Sequence, residues 1–318
     1  MRPLSRSYLL PRVESIVSAQ QMSILLEVSG EPKPGNVTRH RAFPEISYDD
    51  FAFAAASIHE PLTRSYERAR ATASRGRALR GLWGKALLES CRKAMSGRSN
   101  TIFGTLLVEI PLGLGASVVA SGESMTQKAA SIVHASDFSD SLAFVKSIRV
   151  SMVGNLAHPA FMPSDEALDV EDPLVEEQIR ESKVGLERLL APSAGYDLLA
   201  SELVGGFPII SSYASEFVAW LRKLEDPIKA SAVTYCSLLA KYPDSLIRRK
   251  AGVGVAEDIM GRAERTMRWR PFSAKWIQGM EGLDEELRSE DLNPGTLADL
   301  TAGSIFLALL GGPAIPGE

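Results

Sequence analysis

The chain has 318 residues, 45% hydrophobic and 23% charged, enough for one large domain or two small ones with a substantial core. A net charge of −4 and a pI near 5.8 argue against a general binder of nucleic acid or anionic membrane, though they leave room for a local basic pocket. The two cysteines, Cys91 and Cys236, sit in apolar, helix-like context without zinc spacing, which reads as buried reduced thiols in a cytoplasmic protein.

The first residues, Met1-Arg2-Pro3-Leu4-Ser5-Arg6, lack a continuous apolar region, so no signal peptide is expected. Periodicity is helical almost throughout, and alternating strands are scarce, so the fold class expected is all-α, as a single multi-helix domain over 1–318. The first helix is predicted over Pro11–Val28, ending in a Pro/Gly loop at 30–35. The next runs from Tyr48 towards Arg70, with Pro61 as a break. A third covers Gly81–Met95. Asn100 reads as an N-cap opening an apolar helix over Thr101–Val119, kinked at Pro111, whose ring displaces the carbonyl of residue 107. Ser124 and Gln127 resemble a capping box for a helix to His134, followed by a helix over Ser139–Val150 and a loop over 151–172.

Helices are then predicted over Leu174–Leu190, Tyr196–Leu203, Pro208–Leu224, Pro227–Lys241, Asp244–Arg265 and Pro271–Arg288. The last opens at Asn293-Pro294, a cap followed by proline at the first helical position. Its apolar run, Leu300–Leu310, is too short to span a bilayer.

Three polar motifs joined to apolar helices stand out: Pro32-Lys33-Pro34-Gly35-Asn36-Val37, Ser99-Asn100-Thr101-x-x-Gly104 and Asn293-Pro294-Gly295-Thr296-x-x-Asp299. Helix starts carry unpartnered N–H groups and the positive end of the dipole, so three such motifs suggest a phosphorylated ligand. Lys33, on a loop stiffened by two prolines, suits a phosphate as a point charge. Gly104 implies close approach by a helix or a ligand. Asp299 is a carboxylate among apolar residues, and such groups are paired, hydrogen-bonded or metal-bound. Glu109 is a second acid in an apolar run and reads as facing solvent. In Asp244-Ser245-Leu246-Ile247-Arg248-Arg249-Lys250 three consecutive cations spread over half the helix circumference. Arg249 reads as solvated, whereas at least one of the three suits a polyanion. Asp197 and Glu202, five apart, do not share a face. His40, His59, His134 and His158 form no i, i+4 pair, and no Walker loop, Gly-x-Ser-x-Gly or His-Glu-x-x-His occurs, which excludes the common triad, kinase and zinc-hydrolase patterns.

Taken together, these stretches resemble the triphosphoribosyl-dephospho-CoA synthase family. The likeness covers residues from about 20 to 311. It runs from Glu27-Val28-Ser29-Gly30-Glu31-Pro32-Lys33-Pro34-Gly35 through Asn100-Thr101-x-x-Gly104, Tyr196-Asp197 with Glu202, and Tyr242-Pro243-Asp244 to Gly252. It closes with Leu283-Asp284-x-x-Leu287 and Asn293-Pro294-Gly295-Thr296-x-Ala298-Asp299. The resemblance implies an all-helical enzyme in which the 2′-hydroxyl of 3′-dephospho-CoA displaces adenine at C1′ of ATP, with Mg²⁺. Glu27, Asp244 and Asp299 are then the candidate catalytic carboxylates, and Asp299 and Asp244 the candidate metal ligands. Lys33, Gly35, Asn100, Thr101, Gly104, Arg248, Lys250, Asn293, Gly295 and Thr296 are the candidate nucleotide-binding residues, all expected around one cleft. Two elements depart from the family pattern. Its Gly-Ala-His-x-Asp-Met reads Arg39-His40-Arg41-Ala42-Phe43 here, with no acid at Ala42, and its Asn-Thr-His-Lys-Gly reads Asn100-Thr101-Ile102-Phe103-Gly104. The chain therefore resembles a divergent, archaeal-type member. A non-catalytic nucleotide-binding protein, or a ribosyl or phosphoribosyl transferase of another cofactor pathway, is the alternative.

Overall fold

A computed structural model describes residues 11–95, 98–120, 123–151 and 172–311. Its elements are α1 (Val13–Ser29), α2 (Tyr48–Ser57), α3 (His59–Ala73), α4 (Leu82–Ala94), α5 (Phe103–Val118), α6 (Met125–His134), α7 (Phe138–Ser151) and α8 (Val175–Ser182). They continue with α9 (Leu186–Leu190), a 3₁₀ turn at Ala191–Gly195, α10 (Leu198–Gly205), α11 (Pro208–Leu224), α12 (Pro227–Leu239), α13 (Ser245–Ala251), α14 (Val253–Met267), α15 (Ala274–Ser289) and α16 (Gly295–Leu309). The described residues contain no strand, only an isolated bridge between Phe43 and Ile46. The all-α expectation holds.

Composition explains the arrangement. Residues 104–117 of α5 are all buried, and α16 is buried from Ala302 to Leu307, so both are central helices rather than amphipathic surface ones. They pack on each other and on α1, while α11 lies along α16 and α4 along α7. Trp83, Trp276, Tyr66 and Tyr235 fill the interior with at most 1% exposure. Burying each contributes about 1.5–3 kcal/mol or more over leaving it in water.

Several boundaries differ from the sequence reading, each for a local reason. The helix expected through Pro61 breaks earlier, at Ile58, which places Pro61 in the first turn of α3, where no N–H is needed. The helix expected over 174–190 splits at Lys183, whose φ of 52° is left-handed. That expected over 244–265 splits at Gly252, with φ 95°. Pro111 lies inside α5, which runs through it. Ser124 forms no capping box; its hydroxyl bonds that of Thr126 at 2.9 Å. A reciprocal cap stands instead at α2, where Asp50 accepts the Ser47 N–H and hydroxyl at 2.9 Å each. The loop expected over 151–172 falls almost wholly outside the described residues.

Candidate active site

Chain segments far apart in sequence meet at the start of α16. Gly35 is left-handed, with φ 71°, and a Cβ there would come 2.8 Å from both Leu287 Cδ1 and Pro294 Cδ. Only glycine allows the Lys33 loop to lie against the Asn293-Pro294 turn. The Gly35 N–H donates to Asp284 Oδ1 at 2.8 Å, and the Tyr235 hydroxyl donates to the Pro34 carbonyl at 2.7 Å. On the other side, α5 approaches α16 at Gly104: a Cβ there would sit 2.0 Å from Asp299 Oδ2. The close approach inferred for Gly104 is therefore that of a carboxyl from another helix.

The helix starts at this junction are already supplied with carboxyl groups from the chain itself. Asp244 Oδ1 accepts from Leu246 and Ile247 N–H at 2.7 and 3.0 Å, capping α13. Its Oδ2 accepts from Leu297 N–H at 3.0 Å, capping α16. Asp197 caps α10 through Leu199 and Ala200 N–H, and buried Glu202 caps α11 through Ile209 and Ile210 N–H. Asn100 Oδ1 takes the Phe103 N–H at 3.2 Å, so Asn100 does serve α5, three residues before its first helical position. Asn293 does not cap α16: Pro294 is the cap position, and Asn293 Oδ1 is buried without a hydrogen-bond partner. Buried N–H groups need acceptors, and a carboxyl at a helix start satisfies them while meeting the dipole.

Between α5, α7, α10, α13 and α16 lies a cavity of about 180 Å³. Its wall is largely apolar, with Phe103, Leu107, Phe144, Ile148, Leu199 and Leu246, and its polar groups include Asn100, Asp197, Arg249, Thr296 and Asp299. Arg249 is the cation of this wall, and it pairs with Asp197 at 3.1 Å. Asp299 accepts the Thr105 hydroxyl at 2.6 Å. Burial, and then the neighbouring Glu27 and Asp244 charges, push its carboxyl up to about 8, against the Thr105 bond, so at neutral pH it is largely the neutral acid.

Behind Asp299 runs a buried polar seam. Glu27 on α1 holds Lys33: Nζ lies 2.7 Å from Oε1 and also donates to the Glu27 carbonyl at 3.2 Å. Both side chains are almost fully buried, at 1% and 5% exposure, so Lys33 is spent on Glu27 rather than presented on a loop. Burial raises Glu27 and lowers Lys33, each against the attraction of its partner. Glu109, one turn beyond Thr105, is 0% exposed, which overturns its reading as solvent-facing. Its Oε1 accepts the Ser23 hydroxyl at 2.8 Å, Oε2 has no partner, and burial holds its carboxyl well above the usual range.

Of the residues singled out in the sequence, Asn100, Gly104, Thr296 and Asp299 line the cavity together. Glu27, Asp244 and Gly35 are outside its lining, and Lys33 borders a separate hollow. Gly295 packs against Leu246, with 2.7 Å between an added Cβ and Leu246 Cδ1. The Thr101 hydroxyl is buried without a partner. Arg248 is half-buried and outside the lining, and Lys250 turns outward onto Asp291. The expected single cleft thus forms only in part. Arg249, read as solvated, is the cation that reaches the cavity, because Leu246 and Arg249 share one face of α13. Among the described residues no three His, Cys, Asp or Glu side chains converge as a metal site. Asp244, expected to bind metal, spends its oxygens on three backbone N–H groups, which leaves it a poor ligand.

A buried acid with a raised pKa lining a largely apolar cavity marks this place in the all-helical fold as the candidate active site. Comparison with known proteins narrows the class: the chain belongs to the ATP:dephospho-CoA triphosphoribosyl transferase family, whose profile matches residues 13–315. It is similar to a crystal structure from Archaeoglobus fulgidus provisionally described as a triphosphoribosyl-dephospho-CoA synthase. The two share 27% identity over 84% of this chain and 99% of the other, with a TM-score of 0.61. No curated protein matches it. No helix among the described residues is long and apolar enough to cross a membrane.

Proposed function

We propose that this protein transfers the triphosphoribosyl group of ATP to the 2′-hydroxyl of 3′-dephospho-CoA and releases adenine. Membership of the transferase family supports this. The observation that carries the mechanism is Asp299, a largely neutral carboxyl at the floor of an apolar cavity, set over Gly104. The apolar wall between Phe103 and Phe144 takes the adenine ring, and Arg249 faces the phosphates. As the C1′–N9 bond breaks, Asp299 gives its proton to the departing base. The acceptor oxygen bonds to C1′, and its hydroxyl proton returns the carboxyl to the neutral acid. Desolvation makes such a donor effective by bringing its pKa near the working pH. Glu27, neutralised by Lys33, and Asp244, held by N–H groups, serve to position Asp299 rather than to exchange protons. Asp244, whose oxygens accept three N–H groups, and neutral Asp299 fit Mg²⁺ poorly as ligands; Mg²⁺ bound with ATP would supply charge neutralisation of the triphosphate. The buried thiols Cys91 and Cys236 suit a cytoplasmic setting.

The test is incubation with Mg-ATP and dephospho-CoA, followed by chromatography for adenine and mass spectrometry of the product. Adenine with a triphosphoribosyl adduct is expected; no adenine with this or related acceptors overturns the assignment. One observation favours a second reading, a nucleotide-binding protein without turnover: Phe103 fills cavity wall at the position where the family pattern carries a lysine. Calorimetric ATP binding, unchanged in Asp299→Asn and without turnover, would establish it.

A further inference from the structure

Away from the Asp299 cavity, the surface carries a furrow formed by two adjoining hollows of about 510 and 420 Å³. They share Lys229 and Phe272, and volumes of this size suit small molecules. The outer hollow is lined by Trp220, Lys223, Lys229, Arg270 and Phe272 with no acid among its lining residues, in a protein of net charge −4.

Its aromatic rings are held in place. Phe272 has a left-handed backbone, φ 63°, unusual for a bulky residue, and its ring packs on Trp276 at 5.0 Å between centroids. Lys229 Nζ lies 5.8 Å from the Phe272 ring centre, and Lys223 Nζ 4.7 Å from that of Trp220. Lys223 and Arg270 have no carboxylate partner among the described residues, and Lys229 has only Asp226 at 3.6 Å. Ring faces beside Lys223 and Arg270, which lack a carboxylate partner, suit a ligand joining an aromatic base to phosphates, although the inner hollow also carries Glu31, Asp226, Glu281 and Asp284.

We infer that this furrow is a second nucleotide site, taking a base against Trp220 and Phe272 and a diphosphate on Lys223, Lys229 and Arg270. The inference rests on the outer hollow and not on the proposed reaction: none of these five residues lines the Asp299 cavity, and the Lys33 loop borders only the inner hollow.

The test is calorimetric titration of the full chain with ADP, compared with the Lys223→Ala/Arg270→Ala variant. Both substitutions remove surface side chains, and circular dichroism and melting confirm that the variant folds. ADP binding weakened at least tenfold, with competition by pyrophosphate, is the expected result. Quenching of tryptophan fluorescence by ADP should weaken in parallel. Adenosine alone should bind less tightly than ADP. Equal ADP affinity in the two proteins, or no ADP binding in either, overturns the inference. Loss of adenine release would leave ADP binding at the furrow intact, so the two proposals fail separately.

Discussion

The carboxyl of Asp299 lies directly over the bare Cα of Gly104, so that a methyl group there would meet Oδ2 at 2.0 Å. Gly104→Ala must therefore displace Asp299. Alanine favours the helix by about 1 kcal/mol, which offsets part of the strain. We expect at least a tenfold loss in the rate of adenine release with a much smaller relative change in the urea midpoint. Equal loss of both would mean that Gly104 matters for packing only.

Asp299→Asn keeps the volume and removes the proton donor. The rate of adenine release should fall about 10²–10⁴-fold, the usual contribution of general acid catalysis. Melting temperature should change little.

The pH dependence has a definite sign. If the neutral acid of Asp299 is the active form, kcat/KM falls as pH rises through its value of about 8. A rate that climbs through that range would assign the carboxylate, not the acid, to the chemistry.

Lys33→Met leaves Glu27 buried without its ion-pair partner. Breaking such a pair costs about 3–5 kcal/mol, whereas replacing both partners with apolar residues of similar size costs far less. Urea unfolding of Lys33→Met and of Lys33→Met with Glu27→Met should show that order, the double variant the more stable.

Glu109 binds its proton more tightly in the folded chain than in the unfolded one. Its stabilising contribution is thus complete below the ordinary carboxyl range and declines as pH rises towards the folded value. Glu109→Gln should flatten the fall of melting temperature as pH rises above the ordinary carboxyl range, the direction set by that upward shift.

Much of the helical layout was legible because proline and acid residues punctuate it. Pro208 and Pro227 open α11 and α12 at the positions expected of a first helical residue. Asp244 was recognisable as a helix-start residue, but not its second partner, Leu297, which lies 53 positions away. Glu109 was misread because its partner Ser23 is 86 positions away and nothing in an apolar run marks which acid will find a hydroxyl. The breaks at Lys183 and Gly252 were missed because a helical pattern carries across a single left-handed residue. The cavity members Asn100, Gly104, Thr296 and Asp299 came from local motifs, whereas Arg249 depended on which side of α13 faces inward.

Asp244 gives the site a mechanical property. One carboxyl grips both the start of α13, which carries Arg249, and the start of α16, which carries Asp299. Arg249 and Asp299, the groups proposed to meet the ligand's charge and to handle its proton, thus stand on two helices whose starts share one carboxyl. An incoming nucleotide that shifts Arg249 must carry Asp299 along with it.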